Sequence, residues 1–369
     1  MTIPASSSAA TSSISPSSAN ALGTNLPANL PAIDRPARLK LVETWLQNLA
    51  DPYQLSLSTL QSASSDASFR RYFRVSAKNE QSYIVMDAPP THEDVRPFVQ
   101  VAELFAASGV TVPQVLEKDE AEGLLLLRDL GHQTYLDVLT PENAPTLYQA
   151  AMRALIKIQQ SSQTDRLPVY DRTLLLREMA LFPEWYVAKH CQTTLSEIEL
   201  NTLTNVFEVL LTNNLSQSRV VVHRDYHSRN LMYLNSDENP GVLDFQDAVY
   251  GPITYDLVSL LRDAYIEWPE EQVIDWVVRY WEQAKKAGLP VPTDPADFYR
   301  DFEWMGLQRH LKVLGIFARL AHRDGKTGYL KDLPLVLKYT RKVAERYSAF
   351  FPLLRMLDHL EGATAAYTF

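Results

Sequence analysis

Apolar residues recur along this chain with two different periods, and the change of period divides it. From Arg38 to Leu49, the side chains of Leu39, Val42, Leu46 and Leu49 fall near one face of a helix, which predicts a short amphipathic segment. Beyond it, Tyr72, Arg74 and Ser76 alternate with Phe73 and Val75 at the spacing of a strand. Ser82 to Met86 offers an antiparallel partner, with Asn79 and Glu80 suited to the turn between them. Helical spacing returns at Val95, Phe98, Val99, Ala102 and Phe105, and Ser108-Gly109 supplies a stop. Leu124 to Leu127 reads as a compact buried strand, followed at once by the connection Arg128-Asp129-Leu130-Gly131. Such a connection suits a planar base, which needs apolar walls and backbone groups for its polar edge.

The rest of the chain is mainly helical in pattern. Leu200, Leu203, Val206, Phe207, Leu210 and Leu211 form one stripe, and Val273, Val277, Tyr280, Trp281 and Ala284 form another. Gly288-Leu289-Pro290-Val291-Pro292 ends the second, and helical periodicity resumes from Phe298. The expected class is α+β. A leader over 1–34 precedes a small mixed, sheet-containing N-terminal lobe over 35–130 that binds nucleotide. A larger, mainly helical lobe over 131–369 carries catalysis and substrate, with the chemistry at the junction.

Composition narrows the partners. Against 44 Asp and Glu, the 35 Lys and Arg leave a formal charge of −9, which argues against a broad basic surface for nucleic acid and leaves room for a local positive pocket. No run approaches the ~20 consecutive apolar residues that a bilayer crossing needs. Cys191 is the single cysteine, which excludes an intrachain disulfide framework and a thiolate-rich metal site and agrees with a reducing compartment. The first thirty residues, rich in Ser, Ala, Asn and Pro, lack the charged and apolar regions of a secretory signal. A cytoplasmic monomer with neither membrane nor nucleic-acid partner is expected.

The most informative segment runs Val220-Val221-Val222-His223-Arg224-Asp225-Tyr226-His227-Ser228-Arg229-Asn230-Leu231, followed by Gly241-Val242-Leu243-Asp244-Phe245-Gln246-Asp247. Apolar strand candidates flank a polar loop, and the later one brings a second carboxylate back beside it. Asp225 suits orientation of an acceptor hydroxyl and receipt of its proton. The Asn230 amide oxygen and the Asp244 carboxylate are hard oxygen ligands for Mg2+, with Asp247 a further candidate. Phosphoryl transfer needs an in-line oxygen and neutralised charge more than a strong base, so Asp225 needs no raised pKa. His223 and His227 read as supports of the loop, since no HExxH motif or thiolate cluster accompanies them.

These two segments resemble the catalytic and metal-binding segments of the aminoglycoside phosphotransferase and choline kinase superfamily, which has a two-lobed, protein-kinase-like fold. The resemblance spans roughly 35–360 and implies ATP as phosphoryl donor, with Asp225, Asn230 and Asp244 in the roles just described. It narrows at Asp66 to Val75, Val85-Met86-Asp87-Ala88-Pro89-Pro90, Leu181 to Tyr186 and Leu260 to Tyr265, which are similar to the amino-sugar kinases of bacterial cell-wall recycling. That implies phosphorylation of N-acetylmuramate, N-acetylglucosamine or both at the anomeric hydroxyl. Kinases for choline, an aminoglycoside or protein, and a catalytically silent kinase-like module, are the alternatives.

The sequence departs from the wider pattern in two places. No glycine lies between Ser65 and Val75, so Ser68, backbone amides and the cations Arg70 and Arg71 are the candidates for phosphate contact, with Arg74 nearby. Tyr83 to Asp87 lacks the lysine that commonly holds nucleotide phosphates, which leaves Glu103 as a solvated helix residue. The resemblance places Arg128, Asp129 and Leu130 at the base. For the sugar, Glu178 suits hydroxyl or amide groups, Trp185 an apolar ring face, and Arg262 a carboxylate.

Overall fold

The computed structural model describes residues 33–362 apart from 66–68, 80 and 162–163, so Ser68, Glu80 and all but the end of the expected leader lie outside the described residues. The first helix, α1 (Arg35–Leu49), starts where the Asp34 carboxylate accepts from the Ala37 amide at 3.0 Å, with Pro36 in the first turn. Strands β1 (Leu55–Ser65), β2 (Arg71–Ala77) and β3 (Ser82–Asp87) follow, then α2 (Arg96–Ala107), β4 (Val115–Asp119) and β5 (Leu124–Arg128). The strands form one antiparallel sheet in the order β1-β2-β3-β5-β4.

Both faces of this sheet are covered, which explains the unbroken apolar run of β5. Leu124 and Leu126 pack with Val75, Val85 and the α1 residues Val42 and Leu46. Leu125 and Leu127 face the other way, into the core that α2 shares with the second lobe.

The C-terminal lobe begins with α3 (Tyr135–Val138), α4 (Ala144–Gln159) and α5 (Arg172–Met179), then a π-helical stretch over Phe182–His190 in which the Cys191 amide reaches the Tyr186 carbonyl at 2.9 Å. After α6 (Glu197–Ser216) come the short strands β6 (Arg219–Val222), β7 (Leu231–Met232), β8 (Gly241–Val242) and β9 (Val249–Pro252). β6 pairs with β9, and β7 with β8. Helices α7 (Tyr255–Leu261), α8 (Glu270–Lys286), α9 (Pro295–His322), α10 (Leu333–Arg346) and α11 (Phe351–Leu360) complete the lobe.

Helix α9, with 28 residues, runs through the middle of this lobe against the π-helical stretch, α6, α7 and α10. Its approach to the π-helical stretch demands glycine at 315, because a Cβ there would lie 2.4 Å from the carbonyl carbon of Leu181. The architecture is the expected two-lobed α+β fold. Among the described residues no helix is long and apolar enough to cross a membrane.

Candidate active site

Strand β6 is buried through Val220, Val221 and Val222 and delivers the chain into the polar loop. Asp256, near the start of α7, fixes the loop's first turn by accepting the amides of His223 at 2.6 Å and Arg224 at 3.0 Å. Arg224 takes a left-handed backbone, φ 78°, and turns its guanidinium back onto buried Glu178. Beyond the turn, Asp263 accepts from the amide of Ser228 at 3.0 Å and from its hydroxyl at 2.5 Å.

Two further bonds draw the polar residues together. Asn230 donates its side-chain nitrogen to the Asp225 carbonyl at 2.9 Å, and the Leu243 amide donates to the Asn230 carbonyl at 2.9 Å. With Leu231 opposite Val242 in the β7–β8 pair, Asp244 is set beside the loop. Asp225, Asn230, Asp244 and Asp247 consequently line one cavity of ≈ 490 Å³. Because its nitrogen is engaged, Asn230 has its amide oxygen left over for a cation. Asp244 adopts φ 60°, accepts from Gln246 Nε2 at 2.9 Å and lies 3.6 Å from Arg70. Two carboxylates and an amide oxygen suit a hard divalent cation. Among the described residues no three or more His, Cys, Asp or Glu are placed to hold a metal ion by themselves, so such a site needs the Asn230 oxygen and ligands from phosphate or water.

Positive charge surrounds Asp225. Burial opposes its ionisation, but Lys312 and Arg309, with His227 and Arg224 behind them, hold its carboxyl well below the usual range. Arg309 stands 3.6 Å from the carboxylate and donates to the Arg224 carbonyl at 2.8 Å. Asp225 is thereby kept ionised and aligned, as an orienting group rather than a strong base. His223 is neutral in the resting loop. Its Nε2 lies 2.8 Å from the Leu243 carbonyl and its Nδ1 accepts the Asp225 amide at 3.2 Å, while burial pushes its pKa down to about 4. Burial also raises the Asp256 carboxyl to about 7, against the two amides it accepts.

A second cavity of ≈ 500 Å³ lies between the lobes, with Tyr72, Ile84, Leu127, Leu130 and Met232 among its apolar walls. Asn230 and Asp244 line it too, so the two cavities meet at the candidate metal ligands. At the connection, the Asp129 carboxylate is consumed by Arg74 at 2.5 Å, Ser82 at 2.7 Å and the Gly131 amide at 2.9 Å. Gly131, at φ 97°, turns the backbone there. Asp129 can therefore serve a ligand only through its main chain.

The structure corrects four expectations. Arg71 does not reach the phosphate region: it pairs with Asp87, which Arg38 holds from the other side. Glu178 lies behind the cavity, fully buried, engaged by Arg224 and Tyr170 and standing 3.2 Å from Lys312. Trp185 packs against the core from the π-helical stretch and lines neither cavity. Arg262 does line the cavity of the catalytic loop, but its Nη2 meets Glu270 at 3.0 Å and lies 3.5 Å from Glu303, so its charge is already balanced. Arg128 reaches Glu238 across the cleft at 2.8 Å. Sequence reasoning missed Arg309 and Lys312 altogether. Their only signal is that two bases three positions apart share one face of α9, in a stretch that Gln308 and His310 also interrupt.

Residues 59–292 match the phosphotransferase enzyme family. The chain is 47% identical over 337 residues to an N-acetylmuramate/N-acetylglucosamine kinase of Pseudomonas aeruginosa, covering 89% of this chain and 99% of that one. It is 47% identical over 325 residues to the kinase of the same name from Neisseria meningitidis serogroup B, covering 87% and 95%. Among solved structures, a choline kinase from Streptococcus pneumoniae matches with a TM-score of 0.58 at 13% identity, over 82% of this chain and 99% of that one. An ADP-bound aminoglycoside phosphotransferase matches with a TM-score of 0.52 at 17% identity, over 81% and 97%. At such identities the last two speak for the fold alone.

Proposed function

The chain belongs to the phosphotransferase enzyme family, and from that premise we propose that it uses ATP to phosphorylate N-acetylmuramate and N-acetylglucosamine at the anomeric hydroxyl, giving the sugar 1-phosphates of peptidoglycan recycling. The observation that carries this is the near full-length identity to two kinases of those sugars, because the loop geometry alone serves any hydroxyl acceptor. The charge of the acceptor cavity agrees with it. Arg229, Arg309 and Arg319 line the cavity together with Asp225, Asp244 and Asp247, so cations stand ready for an anionic acceptor beside the carboxylates that serve catalysis and metal.

In this reading the adenine base sits between Ile84, Leu127, Leu130 and Met232 and meets the backbone at 129–131. Asp225 accepts a hydrogen bond from the anomeric hydroxyl and aligns its oxygen with the γ-phosphorus. It takes the proton as the new O–P bond forms and the bond to the ADP oxygen breaks. Arg70, 3.6 Å from Asp244, would donate to a phosphate oxygen and take the part of the missing lysine. Asn230, Asp244 and Asp247 would hold Mg2+, which supplies charge neutralisation on the phosphate oxygens.

The test is a phosphate-transfer screen at equal acceptor concentration, with ATP and Mg2+, across N-acetylmuramate, N-acetylglucosamine, choline and an aminoglycoside. The amino sugars should yield 1-phosphates, and a chelator should stop turnover. Preferential transfer to choline or the aminoglycoside would reject the assignment.

A further inference from the structure

The acceptor cavity has one wall made by a single face of α9. Arg309, Lys312, Val313, Ile316, Arg319 and Arg323 recur there at intervals of three and four and all line the cavity. The first two cations serve the catalytic loop: Arg309 faces Asp225 and the Arg224 carbonyl, and Lys312 faces Glu178. At the far end, Arg323 is paired with Asp324 at 2.7 Å and 2.9 Å. Arg262 meets Glu270 and Glu303 through Nη2, which balances its charge even though its Nε and Nη1 are buried without a hydrogen-bond partner. Arg229 stacks on Tyr265 at 3.6 Å and also lines the nucleotide cavity, which puts it toward the phosphates.

Arg319 is different. It is half-buried, and its Nε is fully buried without a hydrogen-bond partner. Among the described residues, no carboxylate lies within ion-pair distance of it. Burial and the like charge of Arg323 both lower its pKa, against weaker support from Asp324 and Glu184. A guanidinium held in that way has no direct anionic partner, and an arriving anion would supply one.

We infer that Arg319 is the residue by which this site prefers an acceptor carrying a carboxylate, pairing with the lactyl group of N-acetylmuramate; this rests on the amino-sugar reading above. The placement fits the molecule. Arg309 and Arg319 are ten residues apart, ~15 Å along the helix axis, and long helical side chains lean toward the N-terminus, so the Arg319 arm reaches back toward Asp225. Val313 and Ile316 lie between them and offer an apolar surface to the sugar ring. With the anomeric oxygen at Asp225, the ether-linked acid on C3, two ring carbons away, would extend along α9 toward Arg319. N-acetylglucosamine has a hydroxyl at that position and leaves Arg319 unmatched.

The experiment compares kcat/KM for both sugars, and for N-acetylmuramate with its lactyl acid converted to the neutral amide, in the parent, Arg319→Met and Arg319→Lys proteins. In Arg319→Met the preference for N-acetylmuramate over N-acetylglucosamine should fall about 10- to 100-fold, mostly through KM, as expected on losing a charge-assisted pair. The same variant should lose the parent's discrimination between acid and amide, and Arg319→Lys should restore part of it. Residual N-acetylglucosamine turnover reports that the variant is folded. Parallel loss for both sugars, or an unchanged ratio, would overturn the inference. A parent protein that phosphorylates neither sugar would instead bring down the amino-sugar reading itself, and this inference with it.

Discussion

Asp87 in the N-terminal lobe and Asp225 in the C-terminal lobe are each flanked by two cations, yet their surroundings differ. Asp87 is closed: its side chain is 0% exposed, Arg38 binds one oxygen with Nε at 3.0 Å, and Arg71 binds the other with Nε at 2.9 Å and Nη2 at 2.5 Å. Arg38 also ties the cluster to the Glu122 carbonyl at 2.8 Å. Asp225 is open: its side chain is 39% exposed, and Arg309 stands 3.6 Å off without closing over it. The first arrangement joins α1, β2 and the end of β3. The second leaves a charged oxygen facing a cavity. Charge and residue type are the same in both, so the distinction lies in whether the donors leave a lone pair for something else.

The comparison breaks most visibly at Asp225. Asp225→Asn should leave folding close to parental and slow phosphoryl transfer by about 10²- to 10⁴-fold, because the amide keeps size but neither carries the charge nor receives the proton. Single-turnover formation of the sugar phosphate, with nucleotide and sugar binding measured alongside, isolates the step from product release. Near-parental chemistry in the folded variant would remove Asp225 from the mechanism. At Asp87 the effect should fall on stability instead. Asp87→Asn strips two arginines of a buried partner, and breaking such a pair costs about 3–5 kcal/mol. Denaturant titration should show that loss, while activity per folded molecule stays near parental. A stable variant that has lost nucleotide binding would turn Asp87 into a functional group.

The contrast between the two aspartates also marks what the sequence exposes. Asp225, Asn230 and Asp244 were readable because short apolar strands on either side fix a local loop, and local geometry determines which way their side chains face. Arg71 was not readable. Its neighbour Arg70 reaches Asp244 and it reaches Asp87, a difference set by strand alternation and by Arg38, 33 positions earlier in the chain. Glu178 looked like a sugar ligand by residue type, and only its burial behind Arg224 and Lys312 shows otherwise. Strand β1 escaped notice because its outer residues are largely serine and threonine, which an edge strand tolerates and an apolar pattern does not register. The cations of α9 act on a loop more than 80 residues away, and no local period links them.

A smaller effect sharpens the picture beneath Asp225. His223 has a folded pKa of about 4 against an ordinary 6.5, so between those values the unfolded chain binds the extra proton. Its contribution to stability is complete above about 6.5 and is lost as pH falls through about 4, at most ~3 kcal/mol. Asp256 acts oppositely: raised from 3.8 to about 7, its contribution is present below 3.8 and is lost as pH rises through 7. The net slope mixes the two, so the specific readout is the His223 ring by NMR, expected to stay neutral down to about pH 5. Titration near 6.5 would mean that the ring is not buried beneath the loop.

The smallest effect belongs to Arg128, which looks like a nucleotide ligand because it lines the cleft and carries charge. Its side chain is 49% exposed and its partner Glu238 is 52% exposed, at 2.8 Å. An exposed pair of this kind is worth about 0–1 kcal/mol, since solvent screens the attraction and two long side chains must be ordered to make it. The base has the main chain at 129–131 and the walls at Leu127, Leu130 and Met232, none of which depends on the Arg128 guanidinium. Arg128→Ala should therefore lower stability by less than about 1 kcal/mol, a difference that fades as salt is raised toward 1 M and the Debye length shrinks to ~3 Å. The nucleotide KM should move by no more than about 3-fold, which is under 1 kcal/mol. Nucleotide titrations at low and high salt, beside melting curves at the same two salts, measure both quantities. A rise in nucleotide KM of about 10-fold or more that persists at high salt would place the Arg128 side chain on the nucleotide, and the connection would then read its ligand through a charge as well as through the backbone.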